Sequence, residues 1–328
     1  MNNLVKLFLF FLIAVVVVSY VITPSLAYLF DANPDNLKAL HEESIKLGND
    51  ESFDLNTLQS RVIQGAKTIK TKLTDADYYY VYSQQICYNI LCFLITALVF
   101  RKLYVKNRKL DWKKTNIALL FLTPLLLATS LPLISATLSL NEILKINQVL
   151  NYFGFDPDSN TVGNMIYSYA IIAPETKLQL VYSFLFIAIV PAVGEELFFR
   201  GGLQKVLVKR FGNIHNAIFF SALIFSAFHG DITAFFYRFF LGIILGYTFY
   251  WTKNLLIPIF IHAANNGITA FGMYYAFNAT DIPDVDTIDL ASQKTYAVIF
   301  STIGTAAILW VYYFFYKAQS TDQSQPQQ

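Results

Sequence analysis

PAVGEELFFR, residues Pro191 to Arg200, sets two adjacent carboxylates, Glu195 and Glu196, and one guanidinium, Arg200, inside an otherwise apolar stretch. A charged side chain near the bilayer centre costs roughly 2.5 to 3.5 kcal/mol on insertion scales, so a glutamate inside a membrane marks a functional site by default. The surroundings decide that this stretch is membranous. The chain has 328 residues, is 55% hydrophobic and carries 30 Phe and 21 Tyr, with a mean hydropathy of +0.45. That is too apolar for an ordinary soluble globule. The net charge of +2 gives no footing for nucleic acid, because the basic residues cluster beside apolar segments, where they act as topology signals. Cys87 and Cys92 lie five apart in one apolar segment. They point to different sides of a helix, so neither a disulfide framework nor a metal pair is suggested.

Working outward from PAVGEELFFR, seven apolar cores follow the first run of residues 7–30. They are residues 82–100, 116–138, 178–199, 214–228, 234–251, 255–275 and 296–316, each near the roughly 20 residues that span hydrocarbon as a helix. Continuous hydrophobicity argues for helices over the alternating shorter strands of a barrel. The expected fold is all-α, a polytopic transmembrane helical bundle of about eight helices. It divides into an N-terminal anchor or signal peptide (1–30), an extracytoplasmic loop (31–79), two accessory transmembrane helices with a loop (80–177), a catalytic core (178–275), a loop with the last helix (276–318) and a disordered cytoplasmic tail (319–328). The loop after the first run has helix-compatible patches at residues 36–47 and 56–73. Basic residues crowd the connection from Arg101 to Lys114 and mark those at Lys205 to Arg210, Lys253 and Lys317, while acidic residues occupy the connections between. This alternation places both termini in the cytoplasm of a multi-pass protein of a plasma membrane, expected to be bacterial.

Four polar groups inside the apolar segments need explaining: Glu195 and Glu196 with Arg200, His229 in FSAFH, His262 and Asn266 in HAANN, and Arg238 in FFYRFF. Glu196 and Arg200 are four apart, the spacing at which helical side chains meet, so an internal ion pair neutralises both. Glu195 points about 100° away and must find another partner. Gly212 and Asn213 signal a hairpin turn, with Glu195 about 17 residues before it and His229 about 17 after, so the two are expected at the same depth. His262 and Asn266 share a helix face one to two turns in from the next cytoplasmic turn. Arg238 sits near the outer end of its helix and is expected to snorkel or to pair with Asp231. Gly242 and Gly246 form GxxxG, a close helix contact.

Convergence of these groups on a wet cavity would support hydrolysis. A carboxylate beside a histidine can take a proton from water and pass it on, while an amide and an imidazole N–H can hold the negative oxygen of a tetrahedral intermediate. No nucleophilic Ser or Cys is required, and no GxSxG occurs. A zinc version would use Glu195, His229 and His262 as ligands, although no HExxH is present. Outside hydrolysis, intramembrane Glu and His also relay protons in proton- or ion-coupled transporters, but no internal repeat of the transporter kind is visible. A catalytically silent membrane scaffold is the third reading. Singly, each histidine is better explained by helix packing; together with the paired glutamates they point to a site.

The order EELFFR at Glu195 to Arg200, FSAFH at Phe225 to His229 and HAANN at His262 to Asn266 resembles the CPBP intramembrane proteases, the family of type II CAAX prenyl endopeptidases, bacteriocin-processing proteins and lysostaphin resistance A-like proteins. The resemblance covers residues 178–271. It implies a helical membrane endopeptidase in which Glu195 and His229 activate the attacking water, His262 and Asn266 form the oxyanion site, and Glu196 and Arg200 support them. It also implies a peptide or membrane-protein substrate that is prenylated in some members. No cofactor is expected, with zinc as the alternative, and no nucleic acid.

Overall fold

A computed structural model of the chain describes residues 3–49, 58–104, 117–137, 161–230, 234–279 and 295–322, together with residues 144, 152 and 232. Among the described residues every regular element is a helix. In chain order these are α1 (Asn3–Phe30), α2 (Pro34–Gly48), α3 (Leu58–Lys70), α4 (Asp75–Leu103), α5 (Ile117–Ala136), α6 (Thr161–Ile172), α7 (Lys177–Phe211), α8 (Ile214–Ala227), α9 (Phe235–Thr252), α10 (Leu256–Asn278) and α11 (Thr295–Asp322). The architecture is a helical membrane bundle. Helix α11 runs to Asp322, so the first residues of the expected tail are helical, and the rest of that tail lies outside the described residues.

Among the described residues the eight apolar cores of the sequence fall on helices, and five helices there are long and apolar enough to cross a membrane: α1, α4, α5, α7 and α11. The other three fall short for physical reasons. Helix α8 has 14 residues, which at 1.5 Å per residue span only about 21 Å. Helices α9 and α10 have the length, but Arg238 in the first and His262, Asn265 and Asn266 in the second dilute their hydrophobicity. The helices that carry the polar groups are therefore the ones that depart from a simple lipid-facing span.

The expected extracytoplasmic loop contains two helices, placed where the helix-compatible patches fall. Asn33 caps α2 by accepting from the amides of Asp35 and Asn36, with Pro34 at the first helical position. Helix α6 was not foreseen. It packs with α2 and α3 around Leu40, Val62, Ile63, Ala66, Ile69, Ile166 and Ala170, and this core also takes in Ala276 and Phe277 from the end of α10. The alternation of apolar and polar residues that builds this cap is invisible to a criterion looking for spans.

Helix α7 is not a uniform α-helix. Wide π-type turns occur at Phe184–Ile189 and at Phe199–Leu203, on either side of the acidic pair. Such turns are rare and concentrate at functional sites. Phe198 and Phe199 pack into an aromatic core with Phe11 of α1, Phe93 of α4 and Phe225 of α8. This dry side holds α7 in place, and the acidic pair faces α9 and α10.

Candidate functional site

Glu196 and Arg200 form the ion pair that their spacing predicts. Arg200 Nη1 donates to Glu196 Oε1 at 2.6 Å, with the two residues 0% and 1% exposed in that sequence order. Arg200 Nη2 donates to the Gly242 carbonyl of α9 at 3.0 Å, and the guanidinium carbon lies 4.9 Å from the centre of the Phe225 ring. One turn further, Gln204 Nε2 donates to the Gly246 carbonyl at 3.2 Å. The pair is thus tied to α9 as well as to its own helix, which is what a buried charge pair needs to offset its desolvation.

His262 joins the same carboxylate. Its Nδ1 donates to Glu196 Oε1 at 2.9 Å, and its Nε2 stands 3.9 Å from Glu195 Oε2. The Glu196 bond fixes the tautomer: with the proton on Nδ1, a neutral His262 presents the lone pair of Nε2 toward Glu195. Glu195 is 8% exposed. Among the described residues its Oε2 has no hydrogen-bond partner. The asymmetry read from helical spacing, with Glu196 engaged and Glu195 left over, is present.

Asn266, one turn beyond His262, donates from Nδ2 to the Ile187 carbonyl of α7 at 3.3 Å. Gly267 makes the approach possible, because a Cβ there would overlap the Phe184 ring. Asn265 completes the cluster. It accepts from the Tyr237 hydroxyl at 2.7 Å and donates to Asn266 Oδ1 at 3.4 Å. Sequence reasoning passed over Asn265 and Tyr237. The signal was the second amide of HAANN, a buried polar group that demanded a partner of its own.

His229 sits just past the end of its helix. Helix α8 stops at Ala227, and His229 lies in the turn that follows, beside Gly230 at φ +66°. Its Nδ1 donates to the Phe225 carbonyl at 2.9 Å. The His262 imidazole stands 3.9 Å from Glu195, and His229 and His262 line the same cavity.

His229, His262, Asn265, Asn266, Tyr237 and Arg238 line one cavity of about 400 Å³. Arg238 therefore turns toward the site, while its expected partner Asp231 lies outside the described residues. Among the described residues no three His, Cys, Asp or Glu side chains gather as a metal-binding set.

No curated protein and no solved structure matches the chain significantly. The stretch from residue 177 to residue 268, which spans all three motifs, matches the model of the Rce1-like family, described as type II CAAX prenyl endopeptidases, in agreement with the resemblance carried by the motifs and with an intramembrane endopeptidase of that general type.

Proposed function

We propose that this protein hydrolyses a peptide bond within the membrane with a water molecule activated between Glu195 and His262, without a metal ion. The observation that carries the reading is the 3.9 Å gap between Glu195 Oε2 and Nε2 of His262, a residue that lines the cavity. That gap is too long for a direct hydrogen bond, and a water within reach of both atoms bridges it. Glu195 takes a proton from this water as the oxygen attacks the peptide carbonyl carbon. The carbonyl oxygen becomes an oxyanion, and Asn266 and His229, which line the cavity, are its candidate donors. As the C–N bond breaks, the proton passes to the leaving nitrogen, giving a carboxylic acid and an amine. Glu196 and Arg200 orient His262 and touch no substrate.

The family description names prenylated CAAX proteins, so a prenylated carboxy-terminal peptide is the first substrate to offer, beside an unmodified membrane peptide. The alternation of basic and acidic connections supports cytoplasmic termini. The test is cleavage by the purified protein in lipid nanodiscs, followed by mass spectrometry. Glu195→Gln is expected to lower turnover by about 10²-fold or more, and a chelator is expected to leave it intact. Equal cleavage by wild type and Glu195→Gln removes the base role. Loss on chelation with recovery on adding zinc removes the metal-free reading.

A further inference from the structure

Pro191 lies four residues after Ile187 on α7, and a proline has no amide hydrogen. In an α-helical register the donor to the Ile187 carbonyl is the N–H of residue 191. The π-type register ends with the Val190 N–H reaching back five residues to the Leu185 carbonyl, and the α-helix resumes at Val190. In that resumed register the chain withholds the donor at this point. The Ile187 carbonyl is met instead by Asn266 Nδ2 from α10 at 3.3 Å.

We propose that Pro191 is a positioning residue for the site, keeping the Ile187 carbonyl open so that the Asn266 carboxamide docks on it. One N–H of Asn266 is held by that carbonyl, and Oδ1 is held by Asn265 at 3.4 Å. A carboxamide fixed at both ends is set in its plane, and its second N–H is the one left for a substrate oxygen. The last step rests on the proposed peptidase reading. The docking itself does not, because it concerns a contact between two helices.

A substitution that supplies the missing donor tests the proposal. In Pro191→Ala the new backbone N–H competes for the Ile187 carbonyl and continues the helix, so thermal unfolding is expected at an equal or higher temperature than in wild type. Turnover is expected to fall about tenfold with KM within about twofold, the pattern of an interaction made in the transition state. A proline that merely shaped the helix would lower stability without this split. A double-mutant cycle reads the docking independently of activity. Asn266→Ala is expected to lower the unfolding temperature by a few degrees with Pro191 present, because it removes the protein partner of a half-buried carbonyl, and by less than half as much in the Pro191→Ala background. Equal losses in the two backgrounds overturn the docking. Coupling in the cycle with unchanged turnover in Pro191→Ala overturns the positioning role while leaving the docking intact.

Discussion

Glu195 and Glu196 are adjacent and chemically identical, and their surroundings separate them. Glu196 Oε1 accepts from both Arg200 and His262, so truncating either member of the ion pair leaves an uncompensated buried charge. Glu196→Ala and Arg200→Ala are each expected to destabilise the fold by about 3 to 5 kcal/mol, seen as a lower unfolding temperature and less folded protein in the membrane fraction. Glu195→Gln is expected to show neither effect. A similar loss of folded protein in all three variants would remove the division of roles. The Glu196 to Arg200 pair was legible because both members sit on one helix and the period of 3.6 fixes their meeting. That His262 would choose Glu196 over Glu195 was not legible, because it depends on how α10 is rotated against α7. Arg238 shows the same limit: its charge was plain in the sequence, and the side it faces was set by packing.

Prolines and glycines decide what the helices can do to one another. Helix α5 also takes in a side chain from a neighbour. Pro132 supplies no donor to the Ala128 carbonyl, and one residue further on Ser301 of α11 inserts into the ladder, donating to the Thr129 carbonyl and accepting from the Leu133 amide at 2.8 Å. Such insertions satisfy backbone groups that hydrocarbon offers no water to meet. The GxxxG of α9 works in the opposite sense, by removing side chains. A Cβ at Gly246 would meet Ile218 of α8 at 2.7 Å, and one at Gly242 would meet Ala222 at 3.0 Å. Gly246→Val is expected to push α8 and α9 apart and to cost roughly 1 to 3 kcal/mol, with Gly242→Ala milder; thermal unfolding of the purified variants measures both. Indifference of stability to Gly246→Val would show that the two helices do not depend on this approach. Close packing at GxxxG was readable from spacing alone. The π-type turns of α7 were not, since no residue pattern announces them.

Across the whole molecule, the eight apolar segments and the class of fold followed from hydrophobic runs, while the cap of α2, α3 and α6 did not. Its helices are short and amphipathic, and the match between their faces emerges only in three dimensions. Lys70 of α3 ties this cap to the bundle, donating to the Ala173 carbonyl at 2.5 Å and lying 4.9 Å from the centre of the Phe277 ring. Burial lowers the affinity of this ammonium for its proton below the ordinary 10.5, with Glu175 acting in the other direction. The unfolded chain therefore holds the Lys70 proton more tightly, and this group makes stability rise with pH across the window beneath 10.5. Lys70→Met is expected to flatten that rise, which a series of unfolding temperatures against pH would detect; an unaltered slope would place its origin elsewhere. Phe277 stands at the far end of the same helix that carries His262 and Asn266, and it is buried among residues of the cap. The segment that matches the protease family consequently lacks a stand-alone footing. Excised from its flanking sequence, it would keep every reactive group and lose the clamp that holds the last of its helices in register.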